Sequence, residues 1–221
     1  MGWFKSIIGF FGEKVVFRTG SQFNPILEVV ENSSHLQLDT AHVNYSFGEL
    51  HKSFQELFGK IEIADVDPKS VLILGFGSGS IASILQNEYK LNCKITGVEI
   101  DPEIIALGHR FFGTGAYANL TILNVDAFLF MQKNQDKYDL VVVDLYLDME
   151  VPAQAETPEF AFQLKNALSG NGQLVFNKYI YNEGSGQSAA ALRKTLNEIF
   201  ADIKTYKTGH DQMNNMFVCR K

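Results

Sequence analysis

Residues 71–80, Val-Leu-Ile-Leu-Gly-Phe-Gly-Ser-Gly-Ser, constrain the fold more than any other stretch of this chain. Four branched apolar residues, Val71 to Leu74, read as a short strand buried on both faces, the habit of a parallel sheet. The run breaks into Gly75-Phe76-Gly77-Ser78-Gly79, and a helix-compatible stretch from Ile81 to Tyr89 comes directly after. A strand, a turn built on alternating glycines and a helix start together let backbone approach a ligand closely. The first free N–H groups of that helix then face the same crevice and favour polar or anionic ligand groups.

The next strand adds weight to the turn. Residues 93–100, Cys-Lys-Ile-Thr-Gly-Val-Glu-Ile, read as that strand, ending in Glu99, Ile100 and Asp101. An acidic residue about twenty positions beyond the glycines is placed to accept hydrogen bonds from a ribose diol. The dinucleotide fingerprint needs its third glycine three residues after the second, whereas here the glycines alternate and lead into Ser80 and Ile81. That spacing is similar to the first motif of class I S-adenosylmethionine-dependent transferases and differs from a nicotinamide site.

From Lys69 onward strand and helix patterns alternate, without repeats or low complexity. Strands are expected at 71–75, 94–99, 120–124, 139–144, 173–178, 202–206 and 215–220, and helices at 79–90, 102–112, 126–134, 158–168 and 186–199. Such alternation specifies an α/β fold with a doubly wound, Rossmann-like sheet, here of seven mostly parallel strands. The last two strands are close enough, across a polar turn at 209–214, to form an antiparallel pair. Upstream, residues 1 to about 20 form an apolar lead-in, read as an aromatic amphipathic helix. Pro25 to Val30 and His35 to Asp39 flank Glu31-Asn-Ser-Ser34 as a β-hairpin, and His42 to Tyr45 can add a third strand. Phe47 to Phe58 reads as a helix with Leu50, Phe54, Leu57 and Phe58 on its apolar face. The expected division is a small N-terminal module, residues 1–58, and a nucleoside-binding domain, residues 59–221.

The net charge of −6 argues against a nucleic-acid groove, which needs basic surface to neutralise phosphates. It suits a small cationic substrate in an acidic pocket. The two cysteines, Cys93 and Cys219, fall in expected strands, where they read as small core residues, and neither has metal-site spacing. No apolar run is long enough to span a bilayer. The opening Met1-Gly-Trp-Phe-Lys-Ser-Ile-Ile-Gly-Phe-Phe-Gly12 lacks the basic start of a signal peptide, although Gly2 with Ser6 fits the loose myristoylation pattern. Packing of this segment on its own domain or across a homodimer interface is the expected use, in a cytoplasmic protein without stable membrane insertion.

In an open parallel sheet, ligands lie beyond the carboxyl ends of the strands. Besides Glu99 and Asp101, the third strand ends in Asp126-Ala127 and the fourth, Tyr138 to Asp144, ends in Asp144. Asp126 can accept a hydrogen bond from an adenine amino group, and equally can cap the helix after it. Asp144 can orient an amine or take its proton during attack on a sulfonium-bound carbon, and Asp148, one loop further on, can assist.

With these motifs in place, the chain resembles the spermidine synthase family of aminopropyltransferases from about Leu27 to its C-terminus. The likeness is carried by Leu38-Asp39, Phe47-Gly-Glu-Leu-His51, the glycine motif, Val98-Glu-Ile-Asp101, Asp126-Ala127 and Tyr138-Asp139 with Asp144. The resemblance implies that Gly75, Phe76, Gly77, Ser78 and Gly79, with Glu99, Ile100 and Asp101, hold the nucleoside of S-adenosylmethionine or its decarboxylated form. It further implies that Asp126 and Ala127 contact the adenine and that Asp144 serves the attacking amine. The chain departs from the family where the glycine loop carries Ser78 in place of an aspartate that binds the aminopropyl amine. The family's Tyr-His-Glu appears as Phe47-Gly48-Glu49, and its second active-site aspartate is one residue further away, at Asp148. The motifs for the nucleoside are kept and those for the polyamine are eroded. The expectation is a transferase acting on a small acceptor, with Ser78 tilting it towards methyl transfer. Aminopropyl transfer to a polyamine and a non-catalytic, dimeric nucleoside-binding protein are the alternatives.

Overall fold

The computed structural model describes residues 13–32, 35–41, 43–147 and 149–221. The expected aromatic helix and modification site within residues 1–12, the turn residues Ser33 and Ser34, His42 and the expected assisting carboxylate Asp148 lie outside the described residues.

Four strands form a small antiparallel sheet in chain order: β1 (Glu13–Thr19), β2 (Leu27–Asn32), β3 (His35–Asp39) and β4 (Asn44–Ser46). The hairpin of β2 and β3 and the short third strand stand where the alternation placed them. Residues 13–19 differ from the expected apolar lead-in. They are extended and pair with β2, with a register shift between Val15 and Phe17. Helix α1 (Glu49–Lys60) comes next and buries Phe54, Leu57 and Phe58 as its spacing requires. One short turn, α2 (Ile63–Val66), leads into the second sheet.

That sheet has seven strands: β5 (Ser70–Leu74), β6 (Lys94–Glu99), β7 (Leu120–Asn124), β8 (Tyr138–Val143), β9 (Leu168–Tyr179), β10 (Asp202–Thr208) and β11 (Asn214–Arg220). Their order across the sheet is β10-β11-β9-β8-β5-β6-β7. The pairs among β5 to β9 are parallel, and β11 runs antiparallel between β9 and β10. The two final strands do pair, with β10 at the edge and β11 inside it. Burial explains the order: Met216 to Cys219 are buried in succession, as an interior strand requires, while β10 leaves most of its residues exposed, as an edge strand does.

The connecting helices are α3 (Ser80–Ser83), α4 (Pro102–Phe111), α5 (Ala127–Lys133), α6 (Pro158–Ala167) and α7 (Glu183–Ile199). Helix α3 continues as a wider π turn, Ile84–Glu88, within the single helix expected there. Alternate residues of β5 serve opposite cores. Leu72 and Leu74 pack with α5, α6 and α7, while Val71 and Ile73 pack with α1 and α3. Each such side chain contributes roughly 1.5–3 kcal/mol by leaving water. Leu27, Val29 and Leu38 of the small sheet pack on Ile104 and Leu107 of α4, which joins the two sheets. Cys93 and Cys219 are buried and unpaired. Among the described residues, no helix is long and apolar enough to cross a membrane.

The Phe76 ring lies against the bare backbone of Gly97 on β6, where an added Cβ would come within 2.3 Å of the ring. The ring is buried and has nowhere to retreat. Gly97→Ala is therefore expected to cost about 1–3 kcal/mol and lower Tm by roughly 2–4 °C for each kcal/mol. Gly170→Ala, where an added Cβ meets nothing within 4 Å, is the control and should stay within about 0.5 kcal/mol. Thermal unfolding of the two variants checks this, and equal transitions would contradict it.

Candidate active site

The strand order reverses between β5 and β8, so the crevice of this sheet opens at their carboxyl ends. Two of the expected features meet there. The Asp144 N–H donates to the Leu74 carbonyl at 2.8 Å, continuing the pairing of β8 with β5 one residue past their ends. Gly75 has φ +82°, and a Cβ on it would fall 2.1 Å from the Asp144 carbonyl oxygen. Only a residue without a side chain lets the glycine loop and the Asp144 peptide lie this close. The loop is then tied to β6: Gly75 and Phe76 both donate to the Val98 carbonyl, and the Gly77 N–H donates to Glu99 Oε2 at 2.9 Å.

The remaining expected residues separate into those with polar atoms to spare and those whose polar atoms are spent on structure. Glu99 is buried with both oxygens on backbone N–H groups, Gly77 on one and Asp101 on the other at 3.1 Å. Burial pushes its carboxyl up to about 7, against the pull of those N–H groups, and the nearby Asp101 charge adds to the rise. Each oxygen keeps a second lone pair for a donor such as a ribose hydroxyl. The Ile100 carbonyl accepts from Asn124. Asp126 caps α5 through Oδ1, which accepts from Phe128 and Leu129 at 2.9 Å each, and Oδ2 is left open beside the buried Ala127.

Asp101 does something else. Oδ1 caps α4 by accepting from the Glu103 N–H, and Oδ2 accepts from Ser21 Oγ and Asn24 Nδ2. It is fully buried, and its oxygens fasten the segment between β1 and β2 to the end of β6. The geometry assigns it to structure, as the sequence Asp-Pro at a helix start also signals. Gly79 precedes α3 and approaches the Thr114 methyl, leaving no room for a Cβ. Ser78 is buried, and its hydroxyl has no partner among the described residues.

Beside Asp144, on the side of β8 and β9, lies a cavity of about 300 Å³. Tyr45, Leu50, Phe76, Ile81, Tyr146 and Met149 are among its apolar lining. Among its described lining residues, Glu49 and Asp144 carry the charge, and both are carboxylates. Glu99, Asp101 and Asp126 do not line it. They stand at the ends of β6 and β7, across the glycine loop from Asp144. The site thus has two sides, the strand-end carboxylates Glu99 and Asp126 and the acidic, apolar-walled cavity, with Asp144 between them.

Asn177 of β9 holds Asp144, its Nδ2 donating to Oδ1 at 2.9 Å. Burial nevertheless pushes the Asp144 carboxyl up to about 7. Tyr146 braces the same corner: its hydroxyl donates to the Asn177 carbonyl and accepts from the Tyr179 N–H at 2.7 Å. Tyr45 reaches across from β4 and donates to the Tyr146 carbonyl. The sequence did not single out Tyr45, Tyr146, Asn177 or Ser80 as site residues, since no motif spacing joins them. Asn177, a polar residue within a run of buried strand positions, was the one readable signal.

Comparison with known proteins agrees with this layout. The family model for the spermine/spermidine synthase domain matches residues 52–209. A probable polyamine aminopropyl transferase of Bifidobacterium longum is 34% identical over 137 residues, covering 62% of this chain and 30% of that protein. A polyamine aminopropyltransferase of Vibrio vulnificus is 28% identical, covering 60% of this chain and 45% of that protein. The chain therefore matches less than half the length of either relative. The spermidine synthase of Thermotoga maritima superposes with a TM-score of 0.72 at 16% identity, over 94% of this chain and 73% of that one, which shows a shared fold.

The raised Asp144 carboxyl has a thermodynamic consequence. An unfolded aspartate loses its proton near about 3.9, whereas the folded one keeps it to about 7. Between these values the folded state binds the extra proton, so stability falls as pH rises through that window. Asp144→Asn keeps an acceptor for Asn177 and cannot ionise. Its Tm relative to wild type should climb from about pH 4 to about pH 8; melting curves that stay parallel across the range would contradict the assignment.

Proposed function

We infer that this chain, which belongs to the spermine/spermidine synthase family, transfers an aminopropyl group from decarboxylated S-adenosylmethionine to a small amine. The observation that carries the reading is Asp144, half-buried between the glycine loop and a cavity whose charged lining is two carboxylates. A diamine is a cation with an apolar body, and this cavity offers carboxylates and apolar wall together. The names of the curated relatives support the same chemistry.

In this reading the glycine loop and Glu99 hold the ribose, and Asp126 Oδ2 with the Ala127 backbone faces the adenine. The sulfonium of the donor supplies an activated carbon. An aliphatic amine reaches the cavity as an ammonium, its pKa near that of lysine at about 10. Asp144 takes one proton from it, freeing the nitrogen lone pair. That nitrogen forms the new C–N bond as the C–S bond breaks, and 5′-methylthioadenosine leaves as a neutral thioether. A carboxyl near 7 is a stronger base than an ordinary aspartate, which narrows the gap to the amine. The rest of the rate gain comes from alignment of nitrogen, carbon and sulfur by the two compartments.

Methyl transfer, the reading Ser78 first suggested, loses ground. Ser78 does not line the cavity, and the curated relatives carry aminopropyltransferase names.

Product analysis by mass spectrometry tests the choice. A diamine with decarboxylated S-adenosylmethionine should yield the aminopropylated amine and 5′-methylthioadenosine; a methylated amine formed from S-adenosylmethionine would overturn the reading. Asp144→Asn should lower kcat/KM by about 10²–10⁴-fold. Because the base must be ionised, wild-type kcat/KM should rise with pH through about 7 and lose that rise in the variant.

A further inference from the structure

Three side chains leading away from the cavity form a hydrogen-bonded chain that aminopropyl transfer, as derived from Asp144, does not use. Ser80, buried at the start of α3, lines the cavity. Its Oγ is 2.7 Å from His51 Nδ1, and His51 Nε2 is 2.6 Å from Glu88 Oε1. The other Glu88 oxygen accepts from Gln55 at 2.7 Å. Each link comes from a different place: Ser80 from the end of the glycine loop, His51 from α1 and Glu88 from the π turn. The His51 ring is held flat under Phe47, 5.2 Å between centroids, and Phe47 in turn stacks on Phe112 at 4.7 Å.

Donor and acceptor roles are set by Glu88. An ionised carboxylate only accepts, so Nε2 carries a hydrogen and Nδ1 of the neutral ring accepts from the Ser80 hydroxyl. The Ser80 oxygen lone pairs are then free to receive an N–H or O–H from the cavity. Among the described residues, Glu88 pairs with His51 directly, and Glu49, paired with Lys52, lies on the same helix. The chain also leads outward: Ser80 is buried, the His51 side chain is 15% exposed and that of Glu88 is 37% exposed.

Every turnover of an amine alkylation releases one proton, and Asp144 must be ionised again before the next ammonium is served. We propose that Ser80, His51 and Glu88 are the route by which this proton leaves the cavity, with Ser80 in contact with the amine or with a water beside it. The inference rests on the aminopropyl-transfer reading. Ser80 Oγ receives the proton from the cavity while handing its own to His51 Nδ1. His51, briefly carrying a hydrogen on both nitrogens, passes its Nε2 proton to the Glu88 carboxylate, from whose exposed side it reaches solvent. Ser80 is thus a catalytic residue, and His51 and Glu88 act through it.

The test is rescue. His51→Ala should lower kcat about tenfold or more with the amine KM changed less than about threefold. Added imidazoles should restore turnover in proportion to their basicity. Ser80→Ala should lower kcat similarly and remove that rescue when combined with His51→Ala. Wild-type kcat in His51→Ala, or restoration that ignores the basicity of the added imidazole, would overturn the relay while leaving aminopropyl transfer intact. An intact protein that transfers nothing would instead defeat the functional reading, and the relay with it. In the active enzyme the ¹⁵N resonances of His51 should report an Nε2–H ring whose Nδ1 signal moves in Ser80→Ala, and an Nδ1–H ring would overturn the relay alone.

Discussion

The contact on which the rest of the structure depends is the approach of the Asp144 peptide to Gly75. Two parallel strands end side by side at the point where the sheet order reverses, and each must leave in a different direction. A Cβ at residue 75 would sit 2.1 Å from a carbonyl oxygen, so any side chain there pushes β8 and the loop apart. With glycine in place, the carboxyl of Asp144 is delivered to the edge of the glycine loop, beside the cavity. Asn177 then fixes its orientation from β9, and burial raises its basicity. Placement and pKa therefore come from the same packing.

The small N-terminal sheet is part of this site. Asp101, buried at the end of β6, binds Ser21 and Asn24 and so fixes where β2 begins. Beyond that anchor the sheet delivers Tyr45 and Ser46 to one wall of the cavity, and α1 delivers Glu49, Leu50 and His51 beside them. The opposite wall is the loop after β8, which carries Tyr146 and Met149. A buried ion pair of Lys178 with Glu156, 2.6 Å long, fastens that loop back to β9. Breaking a pair of this kind leaves an uncompensated charge, which costs more than the pair itself contributes.

Much of this was legible in the sequence because burial leaves a mark there. Strands β5 and β8 are runs of branched apolar residues, the helices carry caps such as Asp126 and Thr157, and the glycine loop stands between a strand and a helix. Strand β1 was not legible: the register shift between Val15 and Phe17 breaks the period of two, and its residues are mostly exposed. The antiparallel pair expected at the end of the chain is the pair found at the sheet edge, and the place of β11 on its inner side was written in the unbroken Met-Phe-Val-Cys. Asp101 looked like a ligand residue because strand-end carboxylates share one sheet edge, and only packing shows which of them are consumed by structure. Ser80, His51 and Glu88 come from three elements, and the π turn that places Glu88 has no sequence signature of its own.

Calorimetric titration with decarboxylated S-adenosylmethionine and S-adenosylmethionine in parallel tests the central claim most directly. The two donors differ by a carboxylate, which would have to enter a cavity already holding Asp144 and Glu49. Like charges in a confined apolar site repel, so the decarboxylated donor should bind at least about tenfold more tightly, a difference of roughly 1.4 kcal/mol. Equal or tighter binding of S-adenosylmethionine would contradict the placement of the reacting carbon beside an acidic amine cavity.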